Sequence, residues 1–182
     1  GDISTTSFHS AKTMTTVEGG MVFTENEDWA NQCKIIRSQG ENPLKKYHHP
    51  MLGHNYRMTD ISASIGLVQL KKLDKILKKR KDLAEYYTKL LSGHSEKIDF
   101  INIEEECENS WFLYPILIKN RDKVAKKLID KGIQTNISWP IPVYKNEHLF
   151  SYSHGTSPMT EKICDQILCL PLYHVMTSDE QD

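Results

Sequence analysis

The feature that most restricts what this chain can fold into is a run of helical periodicity from Asp60 to Leu91. Ile61, Ile65, Val68, Leu73, Ile76, Leu77, Leu83, Ala84, Tyr87 and Leu91 recur at spacings built from three and four, the pattern of a helical face turned toward a core. Thr59 stands at its front as a candidate N-cap. Unbroken, the 32 residues would reach roughly 48 Å at 1.5 Å per residue, so a bend is expected between Gly66 and Lys72. Lys71, Lys72, Lys75, Lys78, Lys79, Arg80 and Lys81 decorate it with Asp74 among them. A basic helix of this kind can meet phosphate backbones or membranes, but a solvated face is the simpler reading. The whole chain supports that reading, because 23 Lys+Arg balance 24 Asp+Glu and leave no nucleic-acid or membrane signature. No stretch approaches the eighteen or so apolar residues of a membrane span.

Around this run the chain alternates strands and helices. Residues 2–8 read as a strand and Met21 to Thr24 as a short buried one. Asn26 can cap a helix carrying Trp29, Ala30, Cys33 and Ile36, ending at Gly40. Residues 41–54 read as loop. After Gly93 come strands over Ile98 to Ile103 and Trp111 to Ile118, then an amphipathic helix from Arg121 to Lys131 closed by Gly132. A third strand is expected from Ile133 to Trp139. Ser157-Pro158 opens a last helix, running to about Leu168 before Leu170-Pro171-Leu172. This order makes a small α/β sandwich, and the change of pattern near residue 92 marks a domain boundary.

Chemistry gathers near the start, in Ser7-Phe8-His9-Ser10-Ala11-Lys12 followed by Glu18-Gly19-Gly20. The pattern is a strand end, a polar loop and a tight turn into another strand. A partly desolvated lysine amine has a lowered pKa and can attack an aldehyde to form a Schiff base, while a nearby serine hydroxyl can hold a phosphate. Taken alone, these residues fit a solvated loop lysine better. His48, His49 and His54 invite a metal reading, but no carboxylate or cysteine accompanies them at ligand spacing, so no metal is expected. Cys33, Cys107, Cys164 and Cys169 show no zinc or redox spacing, which fits reduced thiols in a cytoplasm.

Ser-Phe-His-x-x-Lys followed by Thr-Thr-x-Glu-Gly-Gly resembles the cofactor-lysine segment of the DegT-type (DnrJ/StrS-like) sugar aminotransferases. Three further blocks follow in the family's order: Gly53-His54-Asn55-Tyr56-Arg57-Met58, then Trp139-Pro140-Ile141-Pro142, then Leu170-Pro171-Leu172. The resemblance implies an α/β chain of the aspartate aminotransferase-like fold type I, dependent on pyridoxal 5′-phosphate (PLP). It makes residues 1–70 the remainder of a large PLP-binding domain, 71–91 a linking helix and 92–182 a truncated small α/β domain. A long upstream region and a last helix would complete the subunit. That upstream half would hold the acid that pairs with the pyridinium nitrogen and the aromatic residue that stacks on the ring.

Residue by residue, the resemblance makes Lys12 the Schiff-base lysine and proton shuttle, and Ser7 a phosphate ligand. Asn55 would reach the phosphate of the partner subunit's cofactor, which implies a homodimer with shared active sites, and Arg57 would assist. His9 would line the substrate pocket, its alternative being a hydrogen-bonded structural histidine. Two departures fall at substrate-facing positions: Trp139 stands where tyrosine is usual, and Tyr144 where a histidine commonly follows Pro-x-Pro. The implied reaction moves an amino group, from glutamate, to a keto carbon of a nucleotide-linked deoxy sugar. The segment from Tyr47 to Thr59 is most similar to the GDP-perosamine synthase branch. The alternatives on the same fold are a PLP-dependent sugar dehydratase, in which a histidine replaces the lysine present here, and a non-catalytic regulatory homologue.

Overall fold

The computed structural model describes residues 1–152 and 155–182. The chain divides into two compact units, Gly1–Asp74 and Lys75–Asp182. None of its described helices is long and apolar enough to cross a membrane.

In the first unit, β1 (Ser4–Ser7) and β2 (Gly20–Phe23) pair antiparallel, Ser4 opposite Phe23 and Ser7 opposite Gly20. A twelve-residue excursion, 8–19, joins them. The expected burial of the second strand is corrected: Met21, Val22 and Phe23 are 46–49% exposed, because β1 is the only strand beside them among the described residues. Helix α1 (Glu27–Arg37) starts where Asn26 Oδ1 accepts the Trp29 N–H at 3.0 Å. Glu27 and Asp28 in its first turn and Lys34 and Arg37 in its last complement the helix dipole. The loop beyond it returns to α1 through an isolated bridge between Ser38 and Asn55. Gly40 (φ 73°) and Gly53 lie so close that neither has room for a Cβ. Helix α2 (Asp60–Leu70) is capped by Thr59, whose hydroxyl accepts from Ser62 N–H at 3.2 Å. The expected bend is a full break at Lys71-Lys72, after which α3 (Leu73–Leu91) begins.

From Lys75 onward α3 belongs to the second unit, burying Ile76, Arg80, Leu83, Ala84 and Tyr87. The three-stranded sheet has β4 (Tyr114–Ile118) between β3 (Ile98–Phe100) and β5 (Ile167–Leu170), all antiparallel. Leu83, Ala84 and Tyr87 of α3 share one core with Ile98, Tyr114, Ile116, Leu168 and with Ala125 of α4 (Arg121–Asp130). Rings meet in it, Tyr87 tilted against Tyr114 at 5.1 Å and Trp111 stacked on Tyr114 at 5.6 Å between centroids. The Tyr114 hydroxyl bonds Thr88 Oγ1 at 2.8 Å, and Tyr87 donates to the Pro171 carbonyl at 3.0 Å. Gly132, at φ 82°, ends the α4 turn as expected. Thr177 and Glu180 form a capping box on the short helix α6 (Ser178–Gln181).

Several expectations fail in this unit. Residues 133–139 make no strand; Asn136 and Cys169 form a single bridge, with N···O distances of 3.0 and 2.7 Å. Trp139 at φ 59° and the donorless Pro140 and Pro142 stop the ladder there. The third strand is instead β5, which occupies the residues expected to end the last helix. That helix, α5 (Pro158–Gln166), stops at Gln166, and Ile167 and Leu168 pair with β4. Strand β4 starts later than expected, since Trp111 turns the chain at φ 48° before Tyr114, and β3 stops at Phe100. Arg80 is not on the solvated face. It is 8% exposed, and its Nη1 donates to the carbonyls of Trp111, Phe112 and Leu172 at 2.9, 3.2 and 3.3 Å.

Candidate active site

Ser7 is the last residue of β1, and its Oγ accepts the His9 N–H at 3.2 Å, which leaves the hydroxyl proton to donate. Lys12 follows on the exposed turn beyond, its N–H donating to the His9 carbonyl at 2.9 Å. His9 is held between them. Its Nδ1 accepts the Ala11 N–H at 3.1 Å, so in the neutral ring the proton sits on Nε2, 3.7 Å from Glu18 Oε1. A serine hydroxyl with a free proton and a primary amine on one loop suit a ligand with a phosphate and an aldehyde.

Asn55 and Arg57 lie on the segment entering α2. Asn55 Oδ1 accepts the Arg57 N–H at 3.4 Å, which leaves the Asn55 amide NH₂ as a donor suited to an anionic oxygen. Arg57 lines a cleft of roughly 930 Å³ in the first unit, together with Thr5, Thr6, Met21, Val22 and Arg37. Ser7, His9, Lys12 and Asn55 do not line that cleft. Sequence reasoning passed over Glu18 as the partner of the histidine. Its position just before Gly19-Gly20, where the chain doubles back beside Phe8, was the available signal.

Trp139 and Tyr144 belong to the second unit. Trp139 is 71% exposed and holds a left-handed backbone at φ 59°, an uncommon conformation for a bulky side chain. Tyr144 is half-buried and already engaged. Its hydroxyl donates to Glu161 Oε1 at 2.8 Å and accepts the Ser157 N–H at 3.0 Å. The opposite oxygen of Glu161 meets Lys145 Nζ at 2.8 Å. Lys145 first, then Tyr144, hold the Glu161 carboxyl below its ordinary range, and Glu161 in turn raises the lysine. The Tyr144 hydroxyl is therefore not spare for a ligand, and its ring is what remains.

Among the described residues no group of three or more His, Cys, Asp or Glu could hold a metal ion. The four cysteines are free, Cys164 and Cys169 buried, and burial raises the Cys169 thiol.

The model of the DegT/DnrJ/EryC1/StrS aminotransferase family matches residues 1–182. The chain is 43% identical to a GDP-perosamine synthase from Vibrio cholerae, across 91% of this chain and 43% of that protein. It superposes with a TM-score of 0.92 on a DegT DnrJ EryC1 StrS aminotransferase from Brucella abortus, at 25% identity, covering all of this chain and 48% of the other. NtdA from Bacillus subtilis, solved with its cofactor PMP bound, is 30% identical with a TM-score of 0.88, over 100% of this chain and 43% of that one. The chain spans about half the length of the curated relatives it matches.

Proposed function

The chain belongs to the DegT/DnrJ/EryC1/StrS aminotransferase family, and from that premise we propose that it supplies the lysine-bearing part of a PLP-dependent nucleotide-sugar aminotransferase. The observation that carries the proposal is the segment from Ser7 to Lys12, where a proton-donating hydroxyl at the end of β1 is followed by a primary amine on the turn beyond, inside the family match. PLP supplies an electron sink that makes a carbon–hydrogen bond of the amino donor or the sugar acidic.

The chain's own residues do the rest. Lys12 would hold the cofactor through its Nζ, and the same amine, when not so engaged, would take up and return the proton of the reacting carbon. This needs a group that is uncharged part of the time, hence lysine and not arginine. Ser7 donates to the phosphate. Asn55 donates to the phosphate of the partner subunit's cofactor, assisted by Arg57, in a cytoplasmic homodimer with shared sites. His9, Trp139 and the Tyr144 ring contact the substrate. The acceptor is a nucleotide-linked 4-keto-6-deoxy sugar and the donor is glutamate; the relative named GDP-perosamine synthase at 43% identity supports that sugar class.

Borohydride reduction of the PLP-loaded full-length protein tests the assignment. The covalent adduct is expected on Lys12, with none in Lys12→Ala. An adduct mapped to any other lysine would refute it.

A further inference from the structure

This inference rests on the proposed role of the Lys12 loop. Residues His9 to Thr15 form neither strand nor helix, yet an amine that reacts at a defined atom has to be presented with an accuracy loops lack by themselves. The order of this loop comes from its neck. The Phe8 carbonyl accepts the Thr16 N–H at 2.9 Å and the Thr15 hydroxyl at 3.1 Å, and the Phe8 N–H donates to the Gly19 carbonyl at 2.8 Å. Thr16 is 1% exposed, and its hydroxyl donates to the Glu18 carbonyl at 2.8 Å.

The other side of Thr16 faces α2. A Cβ placed on Gly66 would come within 2.8 Å of Thr16 Cγ2, so glycine is what lets the helix backbone reach the neck. Glycine inside a helix is less favourable than alanine, and at Gly66 the close approach offsets that. The next residue shows how firmly the neck is held. Val17 stands at φ 73° and is 57% exposed, so no packing of its side chain explains a conformation that β-branched residues avoid. Its N–H bond to Thr15 Oγ1, at 2.9 Å, keeps it there.

We propose that Thr16, seated against Gly66, is a positioning residue that fixes the Lys12 loop and so the direction in which the Lys12 amine is presented. Both ends of the side chain are used: the hydroxyl closes the neck on Glu18, and the methyl meets α2.

The test uses the PLP-loaded full-length protein with Thr16→Val, Thr16→Ser and Gly66→Ala. Three quantities are read: amide hydrogen exchange over residues 9–16, the pH midpoint of the bound cofactor's visible band, and kcat. Thr16→Val and Gly66→Ala are expected to exchange faster at Ala11, Lys12 and Thr16, with β1 and α2 unchanged. Both should move the midpoint and lower kcat about tenfold or more at undiminished cofactor stoichiometry, since small misplacements of a reacting group cost that much. Thr16→Ser should restore all three readings to within about twofold, because it keeps the hydroxyl bond to Glu18. Wild-type exchange, midpoint and kcat in a folded Thr16→Val protein would overturn the proposal. Should Thr16→Val fail to fold, Gly66→Ala decides by the same readings. A wild-type protein that takes up no PLP would refute the proposed function, and loop exchange alone would then decide whether Thr16 holds the neck.

Discussion

Lys78-Lys79-Arg80-Lys81 reads in the sequence as four cations on one solvated stretch, yet the third of them is buried. Arg80 gathers three carbonyls from two different loops, while its Nε finds no acceptor among the described residues, and burial lowers its pKa. Removing the guanidinium takes its N–H donor away from each of those carbonyls. Arg80→Met is expected to cost about 2–3 kcal/mol in denaturant unfolding, the scale of hydrogen bonds to a charged donor. Arg80→Lys should recover less than half, since a compact ammonium cannot span three acceptors from one fixed fork. Val17 makes the opposite case. Val17→Gly removes a Cβ from a left-handed backbone and is expected to raise stability by roughly 0.5–1 kcal/mol, measured the same way. Neither residue's role was legible: Arg80 sits on the helical face that periodicity predicts to be buried, but its charge argued for solvent, and a backbone dihedral leaves no mark on one side chain.

At the scale of elements, helix starts were legible and the last strand was not. Asn26 and Thr59 cap α1 and α2 as the sequence predicts, because a cap is a bond between residues three apart. Asn26→Ala should cost about 1 kcal/mol, read by urea unfolding of the first unit. The start of α5 depends on something further off. Its N-cap Ser157 makes no side-chain cap bond; instead Tyr144 receives the Ser157 N–H, and Lys145 grips Glu161 one turn on. Because the folded Glu161 carboxyl lies below its unfolded value, this clamp is at full strength above the ordinary carboxylate pKa of roughly 4.3. It is lost as the pH falls through the lower folded value. A carboxyl-carbon NMR titration should place Glu161 below an ordinary glutamate, and Tyr144→Phe should move it back up. A midpoint at or above 4.3 in the wild type would contradict the clamp.

For the molecule as a whole, the division near residue 74 separates two units of unequal burial. In Gly1–Asp74 the buried residues are Phe8, Thr16, Gly40 and Gly66, whereas Lys75–Asp182 closes a core around Leu83, Tyr114 and Leu168. Native-state hydrogen exchange of this chain should therefore find its slowest amides in β4, β5 and the second half of α3, with β1 and β2 opening far more readily. Slowest exchange in the first unit would contradict this. The proposed sharing of sites between subunits predicts complementation. Full-length Lys12→Ala mixed with full-length Asn55→Ala should recover activity above either variant alone, as some sites regain both residues. No recovery despite demonstrated subunit exchange would place Asn55 within its own subunit's site.

The caps of α1 and α2 and the lysine loop were determined by the sequence alone, since each depends on residues a few positions apart: a cap bond, a run of small hydroxylic side chains; a bend between Gly66 and Lys72 was legible too, but not that it is a full break. Its family was legible for the same reason, from short blocks in a fixed order. What only the tertiary structure decided rests on groups far apart in the chain. Ile167 to Leu170 became a strand because β4 lay beside it, where periodicity over so few residues does not separate strand from helix end. The Tyr144 hydroxyl was taken by Glu161, 17 residues on. Thr16 was buried because Gly66, 50 residues later, lets a helix backbone come against it; a threonine in a polar loop and a glycine in a helix each look ordinary until the fold sets one on the other.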